Sequence, residues 1–117
     1  MISEAKVEKA LEYMRVESKA LAQAKGERIY LQEFRKTQKA MLMQDAMNHP
    51  SEQVNKTASS REAYAYAHDD YVVILNGLKA AVTDEEEKQW KMIAAQAFVE
   101  VWRTQQANNR MVDRSHT

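Results

Sequence analysis

The sequence predicts an all-α protein, and three observations carry that expectation. The 117 residues include only two glycines and one proline, too few for the many tight turns that sandwiches, barrels and doubly wound sheets require. Apolar side chains recur at spacings of three and four over two long stretches free of proline. With 44% apolar and 29% charged residues, the chain is too apolar for disorder and has the size of one domain. Cysteine is absent, which removes disulfide frameworks, thiolate zinc sites and cysteine nucleophiles and fits a reducing compartment.

The first helix is expected over residues 4–47, with Ser3 as N-cap and Glu4 in the first turn, where a carboxylate suits the positive end of the helix dipole. Its stripe runs through Val7, Leu11, Met14 and Leu21 and resumes at Tyr30 or Leu31, then Phe34, Met41 and Leu42, with a slip near Gly26 that reads as a stammer or kink. A connector follows over residues 48–59, because Pro50 disfavours helical geometry at His49 and the next Ser, Asn and Thr side chains compete for backbone hydrogen bonds. Ser59 with Glu62 has the spacing of a capping box, which predicts a short helix over residues 60–68. Asp69 is then the expected N-cap of a long helix over residues 70–108, and residues 109–117 form a frayed tail. That last helix is read as continuous across Asn76-Gly77. Thr83 with Glu86 marks the alternative, a break and fresh start.

Length adds a constraint. A helix of about 44 residues is about 66 Å long at 1.5 Å per residue, whereas a compact domain of this size has a radius of gyration near 13 Å. Continuous helices therefore imply a long hairpin with too small a core to stand alone, completed by oligomerisation. The side chains expected in the core or at oligomer contacts are Leu11, Met14, Leu21, Phe34, Met41, Leu75, Leu78, Val82, Trp90, Ile93 and Val101. No apolar run approaches the roughly 20 residues needed to span a bilayer, so no membrane association is expected. The N-terminal residues carry no apolar signal core.

Catalytic patterns are missing. There is no glycine-rich phosphate loop, no nucleophile elbow and no paired histidine motif, so neither enzyme activity, cofactor nor metal is expected. The histidines stand at 49, 68 and 116, and His68-Asp69-Asp70 reads as a capping cluster more readily than as a metal site. The acidic run from Asp84 to Glu87 reads as a solvated helix surface.

Basic residues are placed unevenly within a balanced total of 17 cationic and 17 acidic side chains. Residues 25–39 hold Lys25, Arg28, Arg35, Lys36 and Lys39 against Glu27 and Glu33. Lys25, Arg28, Lys36 and Lys39 fall near one helical face, a candidate phosphate-tracking stripe, although the charged outer face of a long helix gives the same pattern. Arg103 and Arg110 add a second, polar and basic segment, which also suits the negative end of a helix dipole. Tyr64, Tyr66, Tyr71, Trp90 and Trp102 could stack on bases, but aromatic residues on a helical stripe are usually core or oligomer contacts.

The run Arg61-Glu62-Ala63-Tyr64-Ala65-Tyr66-Ala67-His68-Asp69-Asp70-Tyr71, followed by a long helix ending Val101-Trp102-Arg103-Thr104-Gln105-Gln106, resembles small all-helical proteins of tailed bacteriophages encoded near recombination genes. The opening segment from Ile2 to Tyr13 and Phe34-Arg35-Lys36 share the likeness. In layout the chain is also similar to UvsY-type recombination mediators, which are oligomeric, bind single-stranded DNA and help load a recombinase. The resemblance implies a non-catalytic phage accessory protein of recombination or replication in the cytoplasm of the infected bacterium. Single-stranded DNA, a recombinase and further copies of the chain would be its partners. The alternatives are a protein-only interaction module, such as an inhibitor of a host or defence protein, and a structural coiled-coil component.

Overall fold

The computed structural model describes residues 2–115. It is all-α, with helices α1 (Glu4–Met47), α2 (Glu52–Asn55), α3 (Ala58–Ala67) and α4 (Asp69–Ser115), and no strand among the described residues. His116 and the end of the expected tail lie outside the described residues.

Two compact units are distinguished, one formed by the residues up to Gln23 with those from Glu85 onward, the other by Ala24–Asp84. In the first, the Ile2 N–H donates to Gln105 Oε1 at 3.3 Å, so the start of α1 lies beside the late turns of α4 in an antiparallel pair. Among its less exposed positions, one row on α1 runs Val7, Ala10, Met14, Glu17 and Leu21, flanked by Tyr13 and Ala20, and one on α4 runs Glu85, Lys88, Met92, Ala95, Val99 and Trp102, flanked by Phe98, Gln105 and Gln106. Both sets alternate steps of three and four. That is the 3.5-residue period of a coiled-coil seam, whereas a free helix repeats every 3.6.

The second unit keeps the same alternation, through Ala24, Arg28, Leu31, Arg35, Gln38 and Leu42 on α1 and Tyr71, Ile74, Leu78 and Ala81 on α4. The slip expected near Gly26 is absent. Arg28 occupies the seam position, and counting apolar residues alone loses the phase there because an arginine covers apolar surface with its methylene stem. Three helices meet in this unit's core: Leu42 of α1 is 2% exposed, Ala65 of α3 is fully buried and Tyr71 of α4 is buried, with Met43 packed against them.

The side chains expected in the core or at oligomer contacts divide into two groups within the single chain. Met14, Leu21, Phe34 and Leu78 are half-buried, but Leu11, Met41, Leu75, Val82, Trp90, Ile93 and Val101 are exposed. On α4 the expected positions Leu75, Val82 and Ile93 each stand one residue after a less exposed neighbour, Ile74, Ala81 and Met92. Small alanines fill other seam positions that a search for large side chains passes over.

The helix ends follow from local hydrogen bonds. Ser3 caps α1 as expected, its Oγ accepting the Lys6 N–H at 3.3 Å. After Pro50 the short α2, absent from the sequence reading, is held by side chains: Asn55 Nδ2 donates to the His49 carbonyl at 2.6 Å and Ser60 Oγ to the Val54 carbonyl at 2.7 Å. The cap of α3 is Thr57, whose Oγ1 accepts the Ser60 N–H at 3.0 Å while Ser60 Oγ accepts the Thr57 N–H at 3.1 Å. This reciprocal pair replaces the expected Ser59 and Glu62 box and leaves Glu62 available elsewhere. His68, in extended conformation, separates α3 from α4, and its Nδ1 accepts the Asp70 N–H at 3.1 Å. The cap of α4 is thus His68, with Asp69 already helical. α4 runs to Ser115, beyond the expected end at residue 108. Thr83 starts no new helix, since its Oγ1 donates back to the Lys79 carbonyl at 3.0 Å.

Both glycines sit inside continuous helices without positive φ. A Cβ on Gly26 would meet nothing within 4 Å. Gly26→Ala is therefore expected to stabilise the chain by about 0.5–1 kcal/mol, through lower backbone entropy in the unfolded state. A rise in the urea midpoint at constant slope checks it; a fall would mean that the position needs glycine.

Candidate nucleic-acid interface

Within the Ala24–Asp84 unit, α1 presents Arg35, Lys36 and Lys39 toward Tyr66 of α3 and Tyr71 of α4. These five side chains line an open pocket of about 250 Å³. Arg35 and Lys39 are neighbours at i and i+4 on α1, and Glu62 and Tyr66 have the same relation on α3. Lys39 joins the two helices: its Nζ lies 3.0 Å from Glu62 Oε1 and 4.6 Å from the centre of the Tyr66 ring.

Charge and ring are coupled. The Tyr66 phenol, and then the Glu62 carboxylate, hold the Lys39 ammonium above the usual lysine range. Lys39 first, and then Tyr66, hold the Glu62 carboxyl below the usual carboxylate range. A lowered carboxyl contributes stability that is present above its ordinary pKa and lost as pH falls through the lowered one. A raised lysine contributes stability present below its ordinary pKa and lost only as pH climbs through the raised one. The tie therefore persists across the neutral range and opens first in acid.

Tyr66 is the exposed face of the pocket. The residue is 44% exposed, and its ring meets the buried Tyr71 ring edge-on, with centroids 5.3 Å apart and planes at 67°. The buried ring fixes the orientation of the open one, and a fixed aromatic face beside cations suits an unpaired base next to its phosphate. Lys36 makes only a loose, exposed contact with Glu33 at 3.4 Å.

Of the cations read from the sequence, the structure gathers Arg35, Lys36 and Lys39. Lys25 is exposed on the same unit and does not line the pocket, while Arg28 sits half-buried on the seam with its Nη1 donating to Gln32 Oε1 at 2.9 Å. Arg103 and Arg110 belong to the other unit, where Arg103 pairs with Glu100 at 2.8 Å and Arg110 Nε contacts the Gln106 carbonyl at 3.4 Å. Glu62 was missing from the sequence reading of the site. Its signal was the i, i+4 spacing from Tyr66, masked by a capping role that Ser60 takes instead.

The histidines near the connector are structural. His49 Nδ1 accepts the Ser51 N–H at 3.0 Å, His68 Nδ1 accepts from Asp70, and both rings pack edge-on against Tyr64. Among the described residues no group of three or more His, Asp or Glu side chains is placed to hold a metal. No helix among them is long and apolar enough to cross a membrane. Compared with protein families, curated proteins and solved structures, the chain matches none.

Because Glu62 occupies Lys39, any bound phosphate must compete with it. Glu62→Gln is expected to tighten binding of a short single-stranded oligonucleotide roughly two- to five-fold at low salt, the range of an exposed ion pair. Fluorescence anisotropy checks this, and weaker binding by the variant would show that Glu62 helps to hold the ligand.

Proposed function

We propose that this protein is a non-catalytic accessory factor that binds single-stranded DNA through the pocket of Arg35, Lys36, Lys39, Tyr66 and Tyr71. The observation that carries the reading is the convergence of three cations from one helix on an oriented, exposed tyrosine ring. Cations neutralise phosphates irrespective of sequence, and the ring offers a stacking face that duplex DNA, with its bases already stacked, cannot use. The likeness in layout to recombination mediators supports a role for such binding in recombination or replication, with a recombinase as proposed protein partner and the chain acting as a homo-oligomer.

The site predicts weak, salt-sensitive affinity, since Glu33 and Glu62 stand beside the three cations. Gel shifts at 50 mM salt with matched single-stranded and duplex oligonucleotides test it. Retardation of the single strand in preference to the duplex is expected. No retardation of either sinks the reading.

A further inference from the structure

The last turns of α4 are helical yet exposed at every residue from 107 to 115, Met111 at 67% and Val112 among them. Here the poor helix formers Asn108, Asn109, Val112 and Asp113 alternate with the good ones Ala107, Arg110, Met111 and Arg114. Their face of Ala107, Arg110, Met111 and Arg114 combines a flexible apolar side chain with two cations.

The same unit carries a surface of matching chemistry. Glu4, Val7, Glu8 and Leu11 of α1, with Trp102 of α4, line an open pocket of about 310 Å³. Its apolar part includes the exposed Leu11, and its charged groups are two carboxylates. The Trp102 ring completes the apolar part, its Nε1 buried and without an acceptor among the described residues.

We propose that the end of α4 docks into this pocket on a second copy of the chain, and that two copies exchange these ends about a two-fold axis. Arg110 and Arg114 then face the partner's Glu4 and Glu8, and Met111 lies against the partner's Leu11. Three features favour a copy of the chain over another protein. Both complementary patches are on one unit, and the Ile2 to Gln105 contact places them at the same end of it. A single two-fold operation therefore satisfies both at once. The chain's formal net charge of zero adds no overall repulsion between copies.

The contact is independent of the DNA reading, and charge exchange tests it. Two arms of this size make a small interface of the weak class, so sedimentation is run at about 100 μM chain. The unaltered chain is expected to be a dimer. Arg110→Glu with Arg114→Glu should be monomeric, and so should Glu4→Lys with Glu8→Lys, each with unchanged helical circular dichroism. Mixed in equal amounts, the two variants should recover a one-to-one dimer, because each then meets a complementary partner. An unaltered chain that stays monomeric, variants that still dimerise, or a mixture that stays monomeric would each overturn the proposal.

Discussion

Replacing Arg35, Lys36 and Lys39 together by glutamine is expected to flatten the salt dependence of single-stranded DNA binding. Three neutralised phosphates give a log-log slope of about −2.1, a roughly 18-fold loss of affinity between 50 and 200 mM salt. The broader stripe suggested by the sequence, with Lys25 and Arg28 in place of Arg35, would give about −2.8 and a roughly 50-fold loss. The measured slope therefore separates the pocket from the stripe. In the triple variant the slope should move toward zero, and affinity at 50 mM salt should fall on the order of a hundredfold. Arg103→Gln with Arg110→Gln, in the other unit, should leave the slope unchanged. A triple variant that keeps the original slope would place DNA elsewhere on the molecule.

The largest effect on stability is expected at Leu42. Its side chain is 2% exposed and meets Ala65, Tyr71 and Met43 where α1, α3 and α4 converge. Leu42→Ala removes buried methyl groups and leaves a cavity that a helical framework closes poorly, for a loss of about 2–5 kcal/mol. That is a large share of the roughly 5–15 kcal/mol available to a domain. Its neighbour Met41 is 55% exposed, and Met41→Ala should change stability by no more than about 0.5 kcal/mol. Urea unfolding of both variants checks the contrast, and equal losses would mean that a further surface covers Met41.

What the sequence made legible was mainly backbone. The scarcity of Gly and Pro and the cap at Ser3 suffice to place α1, because a helix boundary depends on a few adjacent residues. Phase was harder to read. Met92 and Ile93 are both large and apolar and stand about 100° apart around the axis, so which of them faces inward is set by the pairing of two helices and not by composition. The connector misled for a different reason: Thr57 and Ser60 cap each other with hydroxyls, where the usual signature expects Glu at the third position. The cations of the site were visible as a cluster in residues 25–39. Their convergence on Tyr66 was not, since it depends on α3 folding back against α1 and on Glu62 being released from a cap.

Tyr71 belongs at once to the hydrophobic core with Leu42 and to the wall of the cationic pocket. Occupancy and cohesion of this unit are thereby linked, since a ligand that requires the packed ring draws the folding equilibrium toward the native state in proportion to its concentration over its dissociation constant. The same sharing divides the wall into a conserved-by-packing side and an adaptable one. Changes at Tyr71 disturb three helices, whereas the exposed Lys36 and Tyr66 lie on the open side and can vary with the ligand while the fold stays intact.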